Sequence, residues 1–596
     1  MRSSFTTRPE LSGTFGAVSS THWLGTTVGM SILERGGNAF DAAVACGFTL
    51  QIVEPHLNGP GGEVPIILKS ADEDEPVVIC GQGVAPALAT LEAFRERGLD
   101  MVPGTGLLPA VVPGAFDAWM LMLRDYGTMQ LADVLSYAIG YAENGFPLLP
   151  RAVASIIPVA EFFRTEWPSS AEVWLPGNNI PKPGALMRNP EIAATYRRII
   201  AEAEAAGQDR IVQIDAARNT FYRGFVAEAI DRFYRTARLF DTSGRRNDGL
   251  LRGEDLANWS ATKEKTTSLD FRGLRVHKTG PWGQGPVFLQ QLSLLSQFDL
   301  DKLDPLSADY VHTVIESAKL CFADREAFYG DPNTSEIPMD VLLSDEYARE
   351  RVKLIGENAS QELVASHLPG AAERLAKIAA RGGSESPQGP GGGEVTFAAV
   401  PEIEGDTVHL DVVDRFGNMV SATPSGGWLQ SSPVVPGLGF PISTRAQMFW
   451  LDDGLPSTLR PGTRPRTTLT PTLVTRDGDP FLAIGTPGGD QQDQWPLTVF
   501  LRHVVHKHGL QKAIDAPMFH SRHWPGSFYP REYALGGVLI EDRFSDTTLK
   551  ELRDRGHKLS VMDSWSLGRV CAVERRGGLI YAAATPRHMQ SYAIAR

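Results

Sequence analysis

The chain has 596 residues, 42% hydrophobic and 21% charged, which excludes global disorder and leaves ample apolar material for a large core. A formal net charge of -13 argues against nucleic acid or an anionic membrane as partner, because binding either requires a basic surface that releases counterions. The opening MRSSFTTRPELSGTFG lacks an apolar targeting core, and no run approaches the ~20 apolar residues that span a bilayer, so a cytoplasmic protein is expected.

In chain order, SILERGGNAFDAAVACGFTLQIVEP shows small and apolar residues at helical spacing, punctuated by Gly36-Gly37. Residues 112 to 145 read as two helices joined at Tyr126-Gly127-Thr128, with Pro113 near the first helix start. A further helix is expected from Ser307 to Phe328. The charged patch AERLAKIAARGG then runs into SESPQGPGGGE, whose Gly, Pro and Ser content predicts a mobile linker at about 380–394. Beyond it HLDVVD, NMVSATP, TLTPTLVT and PFLAIGTP read as strands, giving a mixed α and β chain. Cys46, Cys80, Cys321 and Cys571 show no CxxC spacing and are expected to be buried thiols.

The strand-rich part holds three stretches that can carry chemistry. In DTVHLDVVDRFGNMVSAT, Val408, Leu410 and Val412 alternate with His409, Asp411 and Val413 before a turn at Asp414 to Asn418. Thr407 opens that strand. A threonine hydroxyl becomes an effective nucleophile when it is the first residue of a chain, because its own α-amine, with a pKa of about 7.7–8.0, serves as base. That requires scission between Asp406 and Thr407; otherwise Thr407 is an ordinary strand residue. In GTPGGDQQDQW, Gly488-Gly489 can turn backbone N–H groups toward an oxyanion or form a plain turn. The residues after it, from Asp490 to Gln494, either orient an amide substrate or face water. In RPRTTLTPT, Thr467 and Thr468 offer hydroxyls to a carboxylate or a leaving amide, or serve the strand. His503, His506 and His508 give one helical-face pair, so neither a metal nor a cofactor is expected.

Together these stretches resemble the γ-glutamyltranspeptidase family of N-terminal nucleophile hydrolases. GGNAFDAAVACGFTLQIVEPHLNGPGG, VVPGAFDAW and AKLCFADREAFYGDP are similar to its large-subunit blocks. The nucleophile hairpin, RPRTTLTPT, GTPGG and DAPMFH follow in the family's order. The resemblance implies an α+β, four-layer αββα sandwich, cut into a large subunit 1–406 and a small subunit 407–596 that stay together as a heterodimer of cleavage products. It implies that Thr407 is the nucleophile, with Ser425 in the position of a nearby threonine and Thr423 two residues before it. Thr467 and Thr468 take the carboxylate-contacting positions, and Gly488 and Gly489 those of the oxyanion hole.

The departures concern specificity. Gln82 in GQGVAP stands where glutathione-using members carry an arginine that pairs with the donor carboxylate. In ISTRAQMF, Arg445 and Met448 replace a glutamine and an aspartate that hold the donor ammonium. Gly427 and Trp428 stand at the place of a donor-binding asparagine, and Val408 replaces a second threonine. Trp428 and Trp450 either close over a pocket or pack in the core. The expectation is a hydrolase for an amide of a small carboxylate-bearing substrate, with Arg445 as candidate receiver of the carboxylate. A genuine γ-glutamyltransferase or glutathione hydrolase, and an unprocessed binding relative, are the alternatives.

Overall fold

Strand alternation in this chain sorts side chains between three apolar layers. In the strand Leu410–Asp414, Leu410 and Val412 join the core beneath one set of helices, while Val413 joins a second core on the opposite face. Val408 falls in the first set, which accounts for an aliphatic residue beside Thr407. The computed structural model describes residues 5–381 and 407–596, so Asp406 and the linker expected at about 380–394, from residue 382 onward, lie outside the described residues.

Two seven-stranded antiparallel sheets face each other. One has the order Tyr592–Ala595, Gly16–Ser20, Leu410–Asp414, Met419–Ala422, Val64–Lys69, Val77–Gly81 and Thr262–Lys265. The other has the order Leu11–Gly13, Leu579–Ala584, Cys571–Arg576, Asp479–Gly485, Thr472–Arg476, Leu274–Lys278 and Thr267–Phe271. Ala17, Ile67, Val413 and Met419 of the first meet Leu473, Ala483, Cys571 and Val573 of the second. Helices Trp23–Glu34, Ala39–Val53, Ala115–Tyr126 and Leu131–Asn144 cover the first sheet. Helices Pro286–Leu295, Ala308–Phe328, Trp495–Val504 and Leu510–Asp515 cover the second. The fold is thus an α+β sandwich of helix, sheet, sheet and helix.

Each sheet draws strands from both sides of residues 382–406. Gly16–Ser20 pairs with Leu410–Asp414, Val64–Lys69 with Met419–Ala422, and Leu274–Lys278 with Thr472–Arg476. The helix-rich and strand-rich parts are therefore contributions to one body.

The single helical pattern from Ser31 to Pro55 is two helices. The break falls at Gly36, whose φ of +94° suits glycine, and the second helix starts on a capping box of Asn38 and Asp41. Asp41 also accepts from the Thr128 and Met129 backbone N–H groups at 2.9 and 3.0 Å, tying this cap to the joint between the next two helices. Ser307 caps Ala308–Phe328 as its sequence predicts. All four cysteines are buried and unpaired. Among the described residues no helix is long and apolar enough to cross a membrane.

Candidate active site

Thr407 is fully buried at the head of its hairpin, where Val408 N–H donates to Pro424 O at 3.0 Å and Thr407 bridges Ser425. The hairpin turn is held by Asp414, whose Oδ1 accepts from the N–H groups of Phe416, Gly417 and Asn418. Thr407 Oγ1 donates to Ser425 Oγ at 3.2 Å, and Arg445 Nη2 donates to the same oxygen at 2.7 Å. Arg445 in turn pairs through Nε with Glu63 Oε1, both groups wholly buried. Burial pushes the Glu63 carboxyl up, against the pull of Arg445.

The glycines of LNGPGGE explain how Glu63 reaches this place. Ser425 and Glu63 exchange backbone hydrogen bonds at 2.9 and 3.0 Å, and a methyl at Gly62 would lie 2.1 Å from Ser425 O. Only a residue without Cβ permits two backbones to run this close.

On the inter-sheet face, Thr407, His409 and Asp411 follow one another at strand spacing. His409 Nδ1 lies 3.0 Å from Thr423 Oγ1, its Nε2 lies 2.9 Å from Asp411 Oδ1, and Ser421 Oγ donates to Asp411 at 2.7 Å. Burial pushes the Asp411 carboxyl up, opposed by His409. Thr423 thus belongs to a buried polar column behind Thr407.

Gly488 and Gly489 close the strand Asp479–Gly485. Gly488 has φ +113° and Gly489 begins the 3-10 turn Asp490–Asp493. Gln284 Nε2 donates to Gly489 O at 3.4 Å, and Gln284 N–H donates to Thr467 O at 2.9 Å, so one residue ties both stretches together. The Thr468 hydroxyl is buried without a partner. Asp490 is held by Arg325 Nη1 at 2.5 Å and by Ser527 Oγ at 2.6 Å. Of the polar residues after it, Asp493 pairs with Lys278 at 3.0 Å in full burial, which lifts its carboxyl to about 6.

The specificity residues are equally confined. Gln82 is buried and donates to Gly83 O at 3.1 Å. Trp428 is buried, donates to Leu57 O at 3.0 Å, and packs with Met448 and Phe528. Trp450 is buried beneath the Arg531 guanidinium, 3.8 Å from its ring centre. The Arg445 guanidinium stands 5.0 Å from the Trp428 ring, and its charge is answered by Glu63.

Sequence reasoning passed over Glu63, His409 and Asp411 as site groups. The period-two pattern after Thr407 already put His409 and Asp411 on its face; nothing local marked Glu63. His503 pairs through Nε2 with Glu574 at 3.2 Å, and its Nδ1 lies 2.7 Å from the His508 carbonyl oxygen, so its two ring nitrogens are engaged by protein groups. Elsewhere, His312, Glu316 and His557 bring possible ligand atoms within 4.8 Å of one another, but Lys319 and Ser360 already hold the Glu316 oxygens.

Residues 25–595 match the family model described as Gamma-glutamyltranspeptidase. The chain is 29% identical over 586 residues to the glutathione hydrolase-like YwrD proenzyme of Bacillus subtilis strain 168, covering 96% of this chain and 97% of that one. The solved structure of LmbA2991T421A is 53% identical, with TM-score 0.93 and full coverage of both chains. Cephalosporin acylase from Bacillus halodurans is 28% identical, with TM-score 0.81 over 100% of this chain and 98% of that chain.

Proposed function

The chain belongs to the gamma-glutamyltranspeptidase family of hydrolases, and from that premise we propose that it is a self-processing threonine amidohydrolase acting on a small carboxylate-bearing amide. The observation that carries this reading is the Thr407 hydroxyl, buried at a strand head and oriented by Ser425, Arg445 and Glu63. In the precursor, Oγ1 attacks the carbonyl of Asp406; the peptide shifts to an ester, and water releases Thr407 with a free amine. In catalysis that amine takes the hydroxyl proton as Oγ1 attacks the substrate carbonyl. The N–H groups of Gly488 and Gly489 stabilise the oxyanion. The leaving amine departs with the proton, and water activated by the same α-amine hydrolyses the acyl ester.

The clamp for a donor α-amino group is not supported by the residues present. Met448 is a thioether beside a cation, and Gln82 spends its amide on a neighbouring carbonyl. The likeness to a cephalosporin acylase supports the hydrolysis of an amide. Denaturing electrophoresis with N-terminal sequencing tests the reading: two bands are expected, the smaller starting at Thr407 and lost in Thr407→Ala. A single stable wild-type band would overturn it.

A further inference from the structure

A cavity of about 750 Å³ opens on the helical layer that covers the second sheet. The 3-10 turn Leu300–Lys302 and the loop after it line one part, and the C-terminal end of the helix Trp495–Val504 and the helix Leu510–Asp515 line another. Trp565 joins them from a third segment. None of the lining residues belongs to the Thr407 site, and the volume is that of a pocket for a small organic molecule.

The charged groups around this cavity divide into matched and unmatched ones. Asp301 is paired with Arg272 at 2.5 Å, and Lys302 with Asp299 at 2.5 Å. Asp515 accepts from the Thr7 N–H and hydroxyl at 2.7 and 2.8 Å, and Asp304 from the Leu306 N–H at 2.9 Å. Arg543 and Arg587 share the one carboxylate of Glu541. Arg502 is wholly buried and bonds no carboxylate: it donates to Pro517 O at 2.6 Å and to Met518 Sδ at 3.6 Å, and its Nε is left idle. Lys512 is exposed and forms no ion pair among the described residues. Outside the two matched pairs, Arg502, Lys512, Arg543 and Arg587 stand against Glu541, Asp304 and Asp515, four cations to three carboxylates.

Two imidazoles on the same wall have nitrogens to spare. His506 Nε2 and His508 Nδ1 are buried without a hydrogen-bond partner. Burial, reinforced by Lys512 and Arg502, holds His508 at about 4, and burial lowers His506 against the pull of Asp301. Both rings are therefore neutral near pH 7, and a neutral ring can present an N–H to an acceptor. The remaining wall is apolar. Leu303, Pro305 and Pro517 line it with Leu306, which stays 38% exposed, and with Trp565, whose ring centre lies 3.6 Å from the Arg543 guanidinium. Idle donors and a surplus cation beside an apolar wall suit a ligand that is anionic at one end and apolar at the other.

We propose that this cavity is a binding site for a small monocarboxylate with a flat apolar body. Lys512 and the two imidazoles receive the carboxylate, backed by the buried Arg502 charge, and Leu306 and Trp565 receive the body. The site is separate from the Thr407 chemistry and does not depend on it.

Isothermal calorimetry on the full-length protein near neutral pH tests this with three probes that share one ring system: indoleacetate, indoleacetamide and tryptamine. Indoleacetate is expected to bind about 10-fold or more tightly than indoleacetamide, because charge-assisted hydrogen bonds exceed neutral ones. Lys512→Glu is expected to weaken indoleacetate about 10-fold while leaving indoleacetamide unchanged, since it sets a like charge before the carboxylate. Leu306→Asp is expected to weaken both. Lys512 and Leu306 are solvent-exposed, so neither change burdens folding. Arg502→Met is expected to erase the preference for the acid; if it does not fold, Lys512→Glu decides. Equal affinity for acid and amide, or a preference for tryptamine, overturns the proposal. So does indoleacetate binding that survives both Lys512→Glu and Leu306→Asp, or no binding at millimolar indoleacetate.

Discussion

Gly485 and His409 meet across the gap between the two sheets, so closely that a methyl on Gly485 would fall 2.2 Å from the imidazole. The contact ties the strand Asp479–Gly485, which leads to Gly488, to the segment between Thr407 and the strand Leu410–Asp414. Gly485→Ala must therefore displace the ring and the Thr423 and Asp411 groups around it. The expected result is a loss of about 1–3 kcal/mol in denaturant unfolding, the usual cost of overpacking, together with slowed appearance of the small-subunit band.

Ser425 accepts from both Thr407 and Arg445. Ser425→Ala removes the acceptor of the Thr407 hydroxyl, the proposed nucleophile, and leaves a buried Arg445 N–H idle. A fall in kcat of about 10- to 100-fold is expected, corresponding to about 1–3 kcal/mol for a buried donor left unmatched. Unchanged kcat and processing rate would remove Ser425 from the site.

Glu63 and Arg445 form a buried pair from segments far apart in sequence. Glu63→Gln leaves the cation uncompensated and is expected to destabilise the fold by about 3–5 kcal/mol, whereas Glu63→Gln with Arg445→Met recovers much of it. Chemical denaturation of the two variants measures the difference. Equal losses would mean that the pair is not energetically coupled.

A glutaryl amide is expected to be hydrolysed faster than the matching γ-glutamyl amide. The added α-ammonium would find Met448 and the Arg445 cation where an acceptor is needed. Parallel measurement of kcat/KM on the two amides decides this, and a preference for γ-glutamyl would restore the glutathione hydrolase reading.

Burial holds several histidines well below their ordinary range, among them His22, His520, His523 and His557 at about 3, and His277 and His508 at about 4. These depressed groups contribute stability that is complete above pH 6.5 and is lost as pH falls toward 3, because only the unfolded chain takes the protons. Glu54, raised to about 7, and Asp493, raised to about 6, act in the opposite sense over part of that window. The histidines outnumber them, so melting temperature should drop between pH 6.5 and 4 with net proton uptake on unfolding. Calorimetry in buffers of different ionisation enthalpy reads that uptake, and net proton release would contradict the balance.

Local pattern revealed the hairpin, the helices and the glycine turn because each rests on neighbouring residues. The four layers followed from the family resemblance rather than from periodicity, which read the two halves as separate. The pairings that define the site stayed hidden because they are non-local. Glu63 and Arg445 are brought together by a close backbone approach at Gly62, and Asp490 meets Arg325 through the packing of the helix Ala308–Phe328. The helix split at Gly36 was marked by its glycines, yet its cause, a cap shared with Thr128, lies on another segment.

The interleaving of strands from the two sides of residues 382–406 has a kinetic consequence. If the bond before Thr407 is cut, five strand ladders still cross between the two pieces. They would stay associated, and the native state would register the cut only weakly. Unfolding would then separate two molecules, and their return would be a second-order encounter, slower on dilution and open to mispairing. An uncut chain would need no such encounter, because it folds as one molecule; for the proposed scission, the sheet order therefore favours folding first and cutting afterwards.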